Sequence, residues 1–442
     1  MYLSIASAAL ALLPFARAQS ASATAPAAAP TVAPTSTFTG TYTLYATNPT
    51  AVPLSALIAS PATQPTVALA QTYAAGATPS IPGAPPLPTF VLTTGTYPAL
   101  DITPPTDSAF VQGWIAKVAA SGITIPNIAP TVAGGCATNP AAAAAAAQNG
   151  WWTCGGHTRP TDIVTCADKM TWGLSYDDGP SPYSTDLVNY LGTQNIKSTF
   201  FIVGSRAISR PDILRAEYMA GHQLSVHTWA HPYLTTLTNE QIIAELAWTM
   251  KAIKDITGVT PNTFRPPYGD CDDRVRAIAT AMGLTNIIWT STSQGTFDTN
   301  DWHIPSGFPV AQVLSTFDSI LTQAPTLNTG FIVLAHDLYQ QTVDLAVGYV
   351  IPDALARNFT LKPIISCLNQ PLANAYIETN NNSTNPPGKG AATLQPGASG
   401  AATPTGKSSA SQSHNAAMAV VGGNAGVVGV VLAGLMGLVV GF

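Results

Sequence analysis

Thr171-Trp172-Gly173-Leu174-Ser175-Tyr176-Asp177-Asp178-Gly179-Pro180 reads as a β-strand that ends in two carboxylates. The apolar run of Trp172, Leu174 and Tyr176 has strand character, and it stops at Asp177 and Asp178. Gly179-Pro180 then turns the chain away from the sheet. In barrels and open α/β sheets, ligands bind at the carboxyl ends of the strands. Successive side chains on a strand point to opposite faces, so neighbouring acids at that edge can hold different jobs, one on a metal and one on a proton. Taken alone, the stretch is equally consistent with a solvated Asp-Asp-Gly turn.

Working outward, residues 183–194 read as a helix, 198–203 as a buried strand, 210–220 as a helix stopped by Gly221, and 223–227 as the next strand. Thr238 and Gln241 form a capping box that opens an amphipathic helix, which reaches about Thr257 and stops at Gly258. Further strands are predicted at 263–265, 285–290 and 330–336, with helices near 272–282 and 310–322. Repeated βα units with short loops predict an α/β fold whose parallel sheet is closed, or nearly closed, into a barrel.

Chemistry-bearing residues recur at these strand ends. His227-Thr228-Trp229-Ala230-His231 sets two imidazoles four residues apart. Together with the carboxylate of Asp178 they would give a metal three protein ligands and leave a position for water, as hydrolytic zinc requires. In Phe264-Arg265-Pro266-Pro267-Tyr268-Gly269-Asp270 the prolines stiffen a loop and Gly269 lets backbone approach a ligand, although a rigid turn carrying a surface Arg would read the same way. Leu334-Ala335-His336-Asp337 adds a third imidazole at the same edge. Packing alone does not account for this convergence, because each polar group near a core is costly to bury.

These segments resemble the five motifs of the polysaccharide deacetylases, the NodB-homology carbohydrate esterases, and most of all those of fungal chitin deacetylases. The resemblance covers residues 166–372. Ser175-Tyr176-Asp177-Asp178-Gly179-Pro180 stands where the family usually has Thr-Phe-Asp-Asp-Gly-Pro, and His227 to His231 is the second motif. Arg265-Pro266-Pro267-Tyr268-Gly269, Asp298-Thr299-Asn300-Asp301-Trp302 and Leu334-Ala335-His336 follow in family order. The resemblance implies a distorted (β/α) barrel of the NodB-homology type. It also implies that Asp178, His227 and His231 hold a divalent metal, zinc or alternatively cobalt. Asp177 would be the base, oriented by Arg265, and the backbone N–H of Tyr268 would help to hold the oxyanion. His336 would be the acid, kept charged by Asp301, while Leu334 and Trp302 would line a pocket for the acetyl methyl. The implied reaction removes N-acetyl groups from N-acetylglucosamine units of chitin polymer or oligomers, giving chitosan and acetate. Acetylated xylan or peptidoglycan would suit the same machinery. A catalytically silent cell-wall structural or adhesive protein is the reading from another class, and the intact set of acid, base and ligands argues against it.

Only 9% of the 442 residues are charged and the net charge is -5, which argues against nucleic acid or another polyanion as partner. Residues 1–18 carry an apolar run but no acid, and close on Ala16-Arg17-Ala18, as a cleaved secretory signal does. Residues 19–100 are dominated by Ala, Thr, Pro and Ser and predict an O-glycosylated stalk that builds no core. Residues 101–165, with Trp114, Trp151 and Trp152, are expected to pack as an extension on the domain that follows. The five cysteines Cys136, Cys154, Cys166, Cys271 and Cys367 allow at most two internal bridges, with the pairing open. A polar linker over 373–415 leads to an apolar run, 416–442, with no Lys or Arg after it. That pattern predicts a glycosylphosphatidylinositol (GPI) attachment signal, with Gly406, Ser408 and Ser409 as candidate sites, and a location on the outer face of the cell membrane and in the wall. Asn358, Asn381 and Asn382 head N-glycosylation sequons.

Overall fold

The structure is a computed structural model that describes residues 40–58 and 65–380. Its strands among these residues are β1 (Thr171–Gly173), β2 (Ser175–Asp177), β3 (Thr199–Ile202), β4 (Gln223–Val226), β5 (Thr263–Phe264) and β6 (Thr285–Asn286). A hairpin of β7 (Ser291–Thr292) and β8 (Gly295–Thr296) follows, then β9 (Phe331–Ile332) and β10 (Thr360–Lys362). One parallel sheet runs β2-β3-β4-β5-β6 and a second runs β10-β1-β9.

The strand that opens the domain serves both sheets. At Leu174 it changes partners: the Leu174 N–H donates to the Lys362 carbonyl, and the Leu174 carbonyl accepts from the Thr199 N–H, both at 2.9 Å. The circle is completed by single bonds in place of ladders. Asp177 N donates to Ala335 O at 2.9 Å, Thr290 N to Ile332 O at 3.0 Å and Leu334 N to Phe297 O at 2.9 Å. Ile163 is wedged into the seam through a 2.9 Å bond to Asn286 O. The result is a distorted α/β barrel, and its distortion is this corner and this seam.

Helices Ser184–Thr193, Pro211–Met219, Asn239–Thr257, Asp273–Ala281 and Val310–Gln323 cover the outside. The capping box of Asn239–Thr257 forms in both directions, and Gly258 ends the helix in the left-handed conformation at φ 87°. The end of the barrel opposite the catalytic motifs is plugged by helix Ile364–Cys367. Its Ile364 and Ile365 N–H groups donate to Thr199 Oγ1 and Gln223 Oε1, each at 2.8 Å. A disulfide between Cys166 and Cys367 locks the plug to the chain entering β1. Cys136 pairs with Cys154, and Cys271 is a free, buried thiol.

Two parts of the fold differ from the sequence reading. Nothing was expected between residues 336 and 372, yet helices Gln340–Leu345 and Ile351–Ala356, joined by a π-helical turn at Ala346–Val350, lie buried there ahead of β10. Gln341, Thr342 and Asp344 are buried there together with Val343, Leu345, Val347, Val350 and Ile351, so no exposed polar face stands against an apolar one and no 3.6-residue contrast exists to be read. The stalk expected over 19–100 is also not what its described part forms. Residues 40–58 and 65–100 run extended across the barrel, and Leu57, Ile81 and Leu87 enter the main core. Burial of each such side chain is worth about 1.5–3 kcal/mol. Their backbone is satisfied by the barrel's side chains: Ala70 N donates to Asn189 Oδ1 at 2.8 Å and Asn189 Nδ2 to Ala68 O at 2.9 Å. A segment without periodicity cannot build a core of its own, but it can add to one that already exists.

Residues 101–165 lie against the same domain. Phe110, on helix Ala109–Ala119, packs on Trp248 with ring centroids 4.6 Å apart. Buried ion pairs join Arg159 to Asp273 at 2.7 Å and Asp162 to Arg276 at 2.9 Å. The signal at 1–18, the tail at 416–442, Gly406, Ser408, Ser409, Asn381 and Asn382 lie outside the described residues. No helix among the described residues is long and apolar enough to cross a membrane.

Candidate active site

Asp177, the last residue of β2, is buried and meets Arg265 beyond β5: Arg265 Nη1 donates to Asp177 Oδ1 at 2.6 Å and to Ser175 Oγ at 3.2 Å. The guanidinium is wholly buried and lies 3.9 Å from the centre of the Phe201 ring, so it cannot swing away from the carboxylate. Asp177 Oδ2 is left facing His227 Nε2 at 3.8 Å.

Asp178 leaves the strand at φ 80°, a left-handed conformation rare for a residue with a side chain. Gly179 follows because nothing larger fits: a Cβ there would stand 2.5 Å from Asp337 Oδ2. Asp178 Oδ1 is buried, accepts no hydrogen bond, and faces His231 Nε2 at 3.0 Å and His227 Nε2 at 3.4 Å. His227 Nδ1 lies 2.7 Å from the Arg265 carbonyl, which can only accept. Nδ1 therefore carries the proton and Nε2 turns its lone pair toward Asp178. Thr228 and His231 both have positive φ, 66° and 60°, and this tight turn brings His231 back beside His227. One donor atom from each of Asp178, His227 and His231 lies within 4.8 Å of the others. A buried carboxylate oxygen facing two imidazole Nε2 atoms is a donor set that fits a small divalent cation. Burial pushes the Asp178 carboxyl up, but His231, His227 and Arg206 outweigh it and hold it well below the ordinary carboxylate range.

On the other side of the cluster, His336 Nδ1 is 2.7 Å from Asp301 Oδ1, and the His336 N–H donates to Asp301 Oδ2 at 2.8 Å. Burial alone would lower the imidazole. The charge and hydrogen bond of Asp301, with Asp178 and Asp177 beyond, instead raise it to about 10. Asp301 begins the 3-10 turn Asp301–Ser306, where Trp302 stacks on His303 with centroids 3.4 Å apart. Leu334 is buried in an apolar cluster with Phe201, Trp289 and Ile332.

Tyr268 sits at φ 59° with its ring stacked on Tyr233 at 3.9 Å and edge-on to His231 at 4.6 Å. The extension over 101–165 holds this turn from behind. Gly269, at φ 69°, leaves room for the Trp152 ring, which a Cβ would meet at 2.4 Å. Asp270 then accepts from Trp151 Nε1 at 2.9 Å, Thr153 Oγ1 at 2.7 Å, Thr235 N at 2.8 Å and Thr235 Oγ1 at 2.7 Å.

The structure thus brings Asp177, Asp178, His227, His231, Arg265, Tyr268, Asp301 and His336 to one edge of the barrel. The sequence reading missed Arg206, which donates to Asp178 O at 2.7 Å, as well as Glu245, Asp270 and Asp337. Asp270 and Asp337 each directly follow a motif, and that was the available signal for them.

Residues 165–287 match the polysaccharide deacetylase family. Over 338 residues the chain is 59% identical to chitin deacetylase 1 of Cryptococcus neoformans var. grubii, covering 75% of this chain and 71% of that one. It is 37% identical over 276 residues to chitin deacetylase 3 of Cryptococcus neoformans var. neoformans, covering 61% and 64%. A solved chitin deacetylase from Colletotrichum lindemuthianum superposes with a TM-score of 0.44 at 26% identity, over 51% of this chain and 99% of that one.

Proposed function

The chain belongs to the polysaccharide deacetylase family, and from that premise we propose that it is a metal-dependent chitin deacetylase, hydrolysing the N-acetyl groups of N-acetylglucosamine units to give chitosan and acetate. The observation that carries this reading is the Asp178, His227 and His231 cluster, flanked by the Asp177–Arg265 pair on one side and the His336–Asp301 pair on the other. A zinc ion held by the three side chains would supply Lewis-acid polarisation of the acetamide carbonyl and an acidified water. Asp177, held by Arg265, takes the proton from the attacking water through the oxygen that Arg265 leaves free. The Tyr268 N–H, in a left-handed turn beside His231, would donate to the developing oxyanion. As the C–N bond breaks, His336 passes its proton to the sugar nitrogen, and Asp301 holds the imidazole in its charged form until that step. Leu334 and Trp302 would border the acetyl methyl.

The test is acetate release from chitin oligomers, with and without a metal chelator, beside acetylated xylan and peptidoglycan. Chelator-sensitive release from the chitin oligomers alone is expected. Release that survives full metal removal would refute the metal reading, and faster release from either other polymer would reassign the substrate.

We place the enzyme, by the same proposal, on the outer face of the cell membrane and in the wall. The support is compositional: the leader over 1–18, and an apolar tail preceded by the small residues Gly406, Ser408 and Ser409.

A further inference from the structure

Glu245 lies on the barrel-facing side of helix Asn239–Thr257, fully buried, with no Lys or Arg paired to it among the described residues. A carboxylate in a core is costly unless it does something there. Glu245 Oε2 accepts two backbone bonds, from Trp229 N at 2.7 Å and Ala230 N at 2.9 Å. These are the residues between the two histidines. The same loop is held from two further directions. Gly204 N donates to Thr228 O at 2.9 Å and Ser205 N to Trp229 O at 3.2 Å. Trp229 Nε1 donates to Ala99 O at 2.9 Å, and the Tyr97 ring stacks on the indole at 6.0 Å.

This restraint has a purpose because Thr228 and His231 are both left-handed without being glycine. Such conformations are costly and persist only where the surroundings over-determine them. Without acceptors for the Trp229 and Ala230 N–H groups, the turn would relax toward ordinary φ values and carry His231 Nε2 away from Asp178.

We propose that Glu245 is a positioning residue for the metal site: by accepting the N–H groups of Trp229 and Ala230, it holds the loop in the strained shape that turns both imidazoles onto Asp178. This rests on the metal reading of Asp178, His227 and His231. What Glu245 supplies is an acceptor oxygen at one reach from the helix. Gln places an amide oxygen at that same reach, whereas Asp keeps the carboxyl group but withdraws it by one methylene.

The test is zinc affinity of the purified full-length protein, measured by competition with a chromophoric chelator and paired with thermal melts of each variant. Glu245→Gln is expected to bind zinc as the unaltered protein does. Glu245→Asp and Glu245→Ala are expected to bind roughly 10–100-fold more weakly, the range for lost support behind a ligand. They should do so while still folded at the assay temperature, with kcat largely restored at saturating zinc. Should Glu245→Ala not fold, the contrast between Asp and Gln decides alone. Unaltered zinc affinity in folded Glu245→Asp would overturn this inference and leave the metal reading standing. Absence of zinc binding by the unaltered protein would overturn both.

Discussion

Asp301→Asn separates the charge that holds His336 protonated from the shape that holds it in place. In the native site the imidazole is raised to about 10, despite burial, chiefly by Asp301. Asn removes that charge and offers an amide in the same space. Burial is then opposed only by the weaker pull of Asp178 and Asp177, and His336 falls toward its ordinary value of about 6.5. At pH 8 the native acid is about 99% protonated, whereas a group at 6.5 is about 3% protonated, so turnover should fall by up to about 30-fold, and by more toward pH 9. Near pH 5.5 most of the loss should vanish. The assay is kcat/KM on a chitin oligomer from pH 5 to 10: the descending alkaline limb of the native enzyme should move down by some three units. Zinc content should not change, since Asp301 touches none of the three ligands. Linkage has the same sign. A histidine raised on folding stabilises the fold fully below its ordinary value and loses that contribution as pH rises toward about 10, so the variant should lose stability below that limit. Superimposable pH–rate profiles for the two proteins would refute the assignment of His336 as an acid charged by Asp301.

Asp177→Asn should abolish turnover and leave zinc bound, which metal analysis of the purified variant checks, because it removes the base and no ligand. His227→Ala and His231→Ala should lose zinc and activity together. Excess zinc should help His231→Ala more, since His231 is the more exposed of the two, with 18% of its side chain open against 2%. Replacing both Cys166 and Cys367 with Ser opens a covalent loop of sequence separation 201 and should lower stability in urea by up to about 5 kcal/mol, the chain-entropy figure for a loop of that size. Asn358 is exposed at a left-handed turn ahead of β10, so enzymatic deglycosylation of the protein recovered from its own cells should lower its mass, and Asn358→Gln should remove that part of the change.

The strand ends were legible in the sequence because their signals are local. Asp177, Asp178, His227, Arg265 and His336 each terminate a β-rich run, and the capping box at Thr238 and Gln241 announces its helix in four residues. What stayed hidden depends on contacts between distant segments. The stretch from Gln340 to Ile351 buries polar and apolar side chains alike and so shows no amphipathic face, and the chain before residue 100 has no period because it borrows its partners from the barrel. Nothing in the sequence marks Glu245 out among the polar residues of the helix that Thr238 and Gln241 open. Only the fold shows that it faces inward, onto a loop bearing two imidazoles. The alternation argument for the two acids held for a reason the sequence does not carry: Asp178 reaches the histidines by leaving the strand at positive φ, in addition to the change of face.

Asp178, Thr228, His231 and Tyr268 are all left-handed without being glycine, and all four stand at the carboxyl ends of strands facing the same cluster. At about 1–3 kcal/mol each, four such residues together rival the stability of a whole domain, so the rest of the fold must hold them. Behind each turn lies one buried carboxylate that the chemistry does not use. Asp337 takes the Ser184 hydroxyl, fills the space beside Gly179 and donates its own N–H to Asp177 O. Glu245 ties down the turn between the histidines, and Asp270 binds the Tyr268 loop to residues 151–153 and to Thr235. Carboxyl oxygens suit this work, because turns of this kind expose backbone N–H groups and nearby hydroxyls that need acceptors out of water's reach. The reacting groups are therefore set by an inner row of motif residues whose geometry is imposed by an outer row of acids. Part of that outer row is anchored in the chain that precedes residue 165, so a fragment beginning at β1 would keep every motif and lose the contacts that shape the Tyr268 turn.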